Sequence, residues 1–181
     1  MPGVAYLLIA ELIAFTALDA RFASVPNLLN VGLQSATLVL LALPMTLIIM
    51  SEGLDLSMGA VLGLAGVVLA MLLARGVSLP IAFAAALAVG AAFGAANGAL
   101  IVGVGIPPFI ATLGTLGVAQ GLAVAATGGR SIVGIGDTLP ALYASSWIGL
   151  PFSILIAAAV YLVFHLVLYQ TRFGTYVFAI G

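Results

Sequence analysis

The chain has 181 residues, of which 65% are hydrophobic and 5% charged, with a formal net charge of −1. A soluble domain carries roughly 25% charged residues, so a water-facing globule is excluded and lipid is the fitting surroundings. There is no Lys, no Cys and a single His, His165, which removes a Walker A loop, a Schiff base, thiolate chemistry and a Cys- or His-rich metal site; nucleic acid finds no basic run to bind. No catalytic residue, no metal site and no cofactor in this chain are expected.

Cutting the sequence at its charges and turn residues leaves about six apolar stretches comparable with the roughly 20 residues that cross a bilayer core. The first runs from Val4 to Leu18, carries Glu11, and ends at Asp19-Ala20-Arg21. The second opens at Pro26 and ends in the apolar run Ala36 to Met50, with Pro44 predicted to kink it. Asn27, Asn30 and Gln34 fall within about 60° of one another on this helix, a polar stripe that should face protein or water. The third runs from Leu56 to Ala74 and stops at Arg75-Gly76-Val77-Ser78.

A fourth stretch, Leu79 to Val104, places Gly90, Gly94 and Gly98 at i, i+4 and i+8 with Asn97 beside them; such a ridge lets a neighbouring helix backbone approach closely. Pro107-Pro108 starts a fifth helix that runs to Ala126, with Thr112, Thr115 and Gln120 as a polar edge, and TGGR at 127–130 stops it. The breaker-rich run that follows, together with TGGR, reads as a packed or re-entrant loop near 127–146. The sixth helix covers Trp147 to Tyr169, with those two aromatics as interfacial anchors. The expected fold is therefore all-α, a polytopic membrane helix bundle forming one transmembrane domain over residues 1–181, with a broken or re-entrant segment near 51–57.

SEGLDLS at 51–57 sets Glu52 and Asp55 between two apolar helices with no ordinary loop. Two acids exposed to lipid at mid-helix would cost roughly 2.5–3.5 kcal/mol each, so they must face a cavity, a partner or the membrane surface. One reading is a turn in which Asp55 or Ser57 caps the next helix; the other is a broken helix lining a translocation path, and the two are compatible. His165 reads as a partnered packing residue or a proton relay. GIGD at 134–137 matches the short pattern of intramembrane aspartyl proteases, which also need a second membrane-embedded Asp.

Taken together, LIIMSEGLDLSMGAVLGLAG, NGALIVGVGIPPFIATLGTLGVAQGLA, TGGR and TRFGTYVFAIG resemble the permease subunits of bacterial ATP-binding-cassette importers for ribose, xylose and related simple sugars. The resemblance covers roughly residues 25–181 and implies a multi-pass inner-membrane protein, with both ends of this chain cytoplasmic, moving a monosaccharide by alternating access. It implies as partners a second permease subunit, identical or not, a periplasmic sugar-binding protein and a cytoplasmic ATPase that holds ATP and Mg. Asn30, Gln34, Asp55, Ser57, Asn97, Thr112 and Thr115 are then the candidates for the substrate pathway, and Arg172, Phe173, Gly174 and Tyr176 for contact on the ATPase side.

Departures from the family pattern are Glu52, where the family has glycine, and Thr175, near which it often has a basic residue. The family also continues past the end of this chain into a coupling helix and further spans, so the resemblance implies the N-terminal half to two-thirds of a longer permease. The rivals are an ion-gradient-driven transporter or channel using Glu52 and Asp55, and a membrane protease using Asp137.

Overall fold

The computed structural model describes residues 2–180; Met1 and Gly181, the two ends of the expected domain, lie outside the described residues. In chain order come α1 (Pro2–Leu18), a 3-10 turn (Ala20–Ala23), α2 (Val25–Met50), α3 (Met58–Ala74), α4 (Leu79–Gly98) with a π-helical turn (Ala99–Gly103), and α5 (Pro108–Thr127). Then follow a short α6 (Thr138–Ala144), the strands β1 (Ser146–Trp147) and β2 (Leu150–Pro151), α7 (Phe152–Gln170) and α8 (Arg172–Ile180).

Four helices, α2, α4 with its π turn, α5 and α7, are long and apolar enough to cross a membrane, and α1 and α3 are shorter apolar helices. Together they are the six apolar helices of an all-α polytopic bundle. Their large apolar side chains point outward, among them Phe83, Leu87, Leu113, Val118, Leu162 and Leu166, as helices hydrophobic all round do in lipid. α2 runs unbroken through Pro44.

The helices fall into two packed groups. α3 lies against α4 and α5; α2 lies against α7, and α8 folds back on both. α2 and α7 run parallel: Gly32, Ala36 and Val39 face Ile154, Ala157 and Ala158, and further along Leu43, Thr46 and Leu47 face Phe164, His165 and Leu168. One end of the molecule, the α8 end, therefore gathers the C-termini of α2 and α7 and the 51–57 segment. The other, the hairpin end, holds the start of α2, the α3–α4 turn, α6 and the β-hairpin.

One boundary needs correction. Trp147 does not begin a helix: it sits in β1, and α7 starts at Phe152. Within the expected packed loop, α6 occupies the second half, and a two-stranded antiparallel hairpin pairing Ser146 with Pro151 and Trp147 with Leu150 follows it. The Gly90, Gly94, Gly98 ridge packs no helix within this chain, because nothing lies within 4 Å of where a Cβ would stand on any of the three. α4 turns Ala82 and Asn97 inward instead.

Candidate functional site

The 51–57 segment is shaped first by the way α2 ends. The Gly53 N–H donates to the Ile48 carbonyl (2.8 Å) and the Glu52 N–H to the Ile49 carbonyl (3.0 Å), the paired bonds of a Schellman motif, which requires a left-handed residue at its C′ position. Glu52 fills that position with φ 56°. α3 ends in the same way, with Val77 N–H to Leu72 carbonyl (3.0 Å) and Gly76 N–H to Leu73 carbonyl (2.9 Å), but there the residue at φ 78° is Gly76. A glycine adopts this conformation without the steric penalty a Cβ brings. The turn geometry thus gives a physical reason for the glycine that the family resemblance leads one to expect at position 52.

After the turn, Asp55 organises the start of α3. Its Oδ1 accepts from the Ser57 N–H (2.7 Å) and from the Ser57 hydroxyl (2.6 Å). The capping reading therefore holds in part: Asp55 satisfies a backbone donor at the helix start, while the Ser57 side chain makes no capping bond. Ser57 is free to accept from Asn97 Nδ2 on α4 (3.0 Å), and Asn97 Oδ1 accepts from the Thr115 hydroxyl on α5 (2.7 Å).

Thr112, one turn earlier on α5, donates to the Pro108 carbonyl of its own helix (2.8 Å), with the Leu54 carbonyl within reach at 3.3 Å. The carboxylate fixes the direction of the relay, since it can only accept: Thr115 to Asn97 to Ser57 to Asp55.

Five of the seven expected pathway residues thus meet at the junction of α3, α4 and α5, at the α8 end. Three are almost completely buried, Ser57 at 1%, Thr112 at 1% and Asn97 at 5% exposure. Among the described residues no buried side-chain polar atom lacks a partner. The network joins three helices and holds two non-helical connections, 51–57 and 104–107, beside one another. Gly105 at φ 82° and the proline pair shape the second of these. Among the described residues no three His, Asp or Glu side chains converge as metal ligands do.

The other expected residues lie elsewhere. Asn30 and Gln34 are exposed on α2, and Asn30 lines a cavity of about 480 Å³ at the hairpin end. Arg172, Phe173 and Tyr176 are exposed on α8, but Gly174 is buried: a Cβ there would overlap the Leu168 main chain, so this glycine lets α8 fold tightly against α7 and offers no surface to a partner. His165 stacks between Tyr161 and Tyr169, at centroid distances of 6.4 and 4.8 Å. Asp137 is exposed immediately before α6.

Two features escape a sequence reading. Gly32 admits Ile154, whose Cδ1 would stand 2.7 Å from a Cβ on residue 32, and the sequence signal was present as the small pair Gly32 and Ala36 at i, i+4. The Leu54 carbonyl, as backbone, leaves no signal at all.

The family model described as branched-chain amino acid transport system / permease component matches residues 27–181. Among curated proteins, the autoinducer 2 import system permease protein LsrC of Shigella flexneri is 38% identical over 169 residues, covering 91% of this chain and 48% of that protein. LsrC of Escherichia coli O157:H7 is 38% identical over 182 residues, covering 96% and 52%. The autoinducer 2 import system permease protein LsrD of Enterobacter sp. (strain 638) is 33% identical over 181 residues, covering 97% and 55%. The chain spans about half the length of these relatives. No solved structure matches.

Proposed function

The chain belongs to the branched-chain amino acid transport system / permease component family, and from that membership we propose that it acts as a transmembrane subunit of an ATP-binding-cassette importer. The family match over residues 27–181 carries this reading. In it, a second permease subunit completes the pathway, a periplasmic binding protein delivers the cargo, and a separate cytoplasmic ATPase binds ATP and Mg. The α8 end faces the cytoplasm, which puts both ends of the chain inside and presents Arg172, Phe173 and Tyr176 to the ATPase.

The cargo we propose is a small, uncharged, hydroxyl-rich molecule, a simple sugar or a molecule like the autoinducer 2 named for the relatives. The side chains offered to it are two amides and one carboxylate, which donate to and accept from sugar hydroxyls. Asn30, Gln34 and Asp55 would touch the cargo. Ser57, Asn97 and Thr112 are buried and Thr115 half-buried, and hydrogen bonds tie them into one junction, so their part is to position the two non-helical connections that border the path.

Proteoliposomes holding the full transporter test this. Uptake of labelled ribose or autoinducer 2 should require ATP and survive an ionophore that collapses the proton and sodium gradients. Uptake that disappears with the gradients while ATP is maintained would establish the ion-coupled alternative built on Glu52 and Asp55.

A further inference from the structure

The corner between α1 and α2 carries a cavity of about 480 Å³ at the hairpin end, opposite the buried network. Its wall combines two ring faces with several polar side chains. Phe15 and Phe22 meet at 5.3 Å between centroids with their planes tilted by 35°, and around them stand Asp19, Arg21, Asn27 and Asn30.

Local bonds hold this wall in shape and leave much of its polar capacity open. Asp19 Oδ1 accepts the Arg21 main-chain N–H (2.8 Å), which leaves its second carboxylate oxygen available and the Arg21 guanidinium unengaged by that contact. Asn27 Nδ2 donates to the Phe22 carbonyl (2.8 Å), which leaves Asn27 its carbonyl oxygen and one N–H. Asn30 lies one turn further along α2, and Gln34 continues the same polar stripe toward the α8 end.

We infer that this corner is an outer subsite for a small neutral polyol, seated above the polar stripe of α2. The inference rests on the proposed importer reading and names where cargo first meets this chain. The donor and acceptor inventory selects the ligand class. A carboxylate oxygen, a guanidinium and two amides present acceptors and donors in alternation, and apolar ring faces suit the C–H side of a sugar. A zwitterion such as an amino acid would engage Asp19 and Arg21 and leave both amides unmatched, whereas a polyol can bond all four. The stripe that continues from it along α2, Asn27, Asn30 and Gln34, is uncharged.

Saturation-transfer NMR on the full-length protein in nanodiscs provides the test, with ribose, leucine and the lipid headgroup analogue glycerophosphoethanolamine as probes. Ribose should receive saturation, and Asn30→Leu and Asp19→Asn should each weaken its binding by roughly tenfold, the size expected for losing a neutral or charge-assisted hydrogen bond. Phe83→Leu, in the separate apolar cavity between α4 and α7, should leave binding unchanged. Ribose binding that ignores Asn30→Leu and Asp19→Asn overturns the subsite while leaving the importer reading in place, as does a failure to bind ribose in a protein that still supports ATP-driven uptake. Preference for leucine, or for the headgroup analogue through Arg21, overturns it in favour of a zwitterionic ligand.

Discussion

The two helix groups are held together by different means. α3, α4 and α5 are joined by side-chain hydrogen bonds that cross between helices, Asn97 to Ser57 and Thr115 to Asn97. α2 and α7 are joined by close approach, with Gly32 against Ile154 and small Ala36 and Ala157 buried at the crossing. Thr46 on α2 bonds the carbonyl four residues back on its own helix, and Thr171, just past the end of α7, does the same. Lipid supplies no hydrophobic drive between helices, so association must come from packing or polar bonds. Here each group relies chiefly on one of them. A polar junction fixes particular atoms at particular places, whereas an apolar crossing can slide, which suits the first to framing a path and the second to moving.

Substitutions at the contact points can break this contrast. The largest effect is expected of Gly174→Ala, because the new Cβ would overlap the Leu168 main chain and backbone cannot step aside. The α7–α8 fold should loosen at a cost of about 3 kcal/mol, read as lost hydrogen-exchange protection in 172–180 with the α3–α5 group unaffected. Next comes Asn97→Leu, which removes both bonds made by Asn97 and leaves Ser57 with Asp55 and Thr115 with the Thr112 carbonyl as their remaining partners. A loss of about 1–2 kcal/mol in detergent unfolding is expected, confined to α3–α5.

Smaller effects sharpen the contrast. Glu52→Gly should gain about 1 kcal/mol, since it relieves a left-handed residue without touching either helix group. Thermal unfolding followed by circular dichroism checks this, and a loss would show that the Glu52 side chain makes a contact of its own. Gly32→Ala should cost under about 1 kcal/mol, because the only atoms in its way belong to the flexible end of Ile154. The same unfolding measurement on Gly32→Leu should show the larger loss that a close crossing demands.

Much of this architecture was readable from punctuation. Pro108 and the TGGR stop set α5 to within a residue, and Gly76 marks the end of α3, since these residues act on the local backbone whatever surrounds them. The β-hairpin was not readable. Its turn places Ile148 at φ 57° and Gly149 at φ 75°, and a β-branched residue at positive φ gives no hairpin signal.

The polar residues of the junction were visible as types but not as partners. Asn97 and Asn30 look alike in sequence, and only the packing of α4 against α3, with α5 beside them, buries one while leaving the other exposed. The glycine ridge makes the same point: its spacing reveals a smooth face but not the direction that face takes, which here is away from the other helices of this chain.

These 181 residues contain no cysteine, so a cysteine introduced among them is the one thiol this segment offers to the measurement that tests the account most directly, with the unsubstituted transporter as its control. Asn30→Cys and Gln34→Cys, introduced singly into the assembled transporter, are exposed to a membrane-impermeant maleimide with and without ATP and with and without cargo. The account predicts that both positions react from water in at least one nucleotide state and that cargo protects them. Positions that stay unreactive in every state would place the α2 stripe against lipid or a sealed protein face, and would contradict a pathway along it.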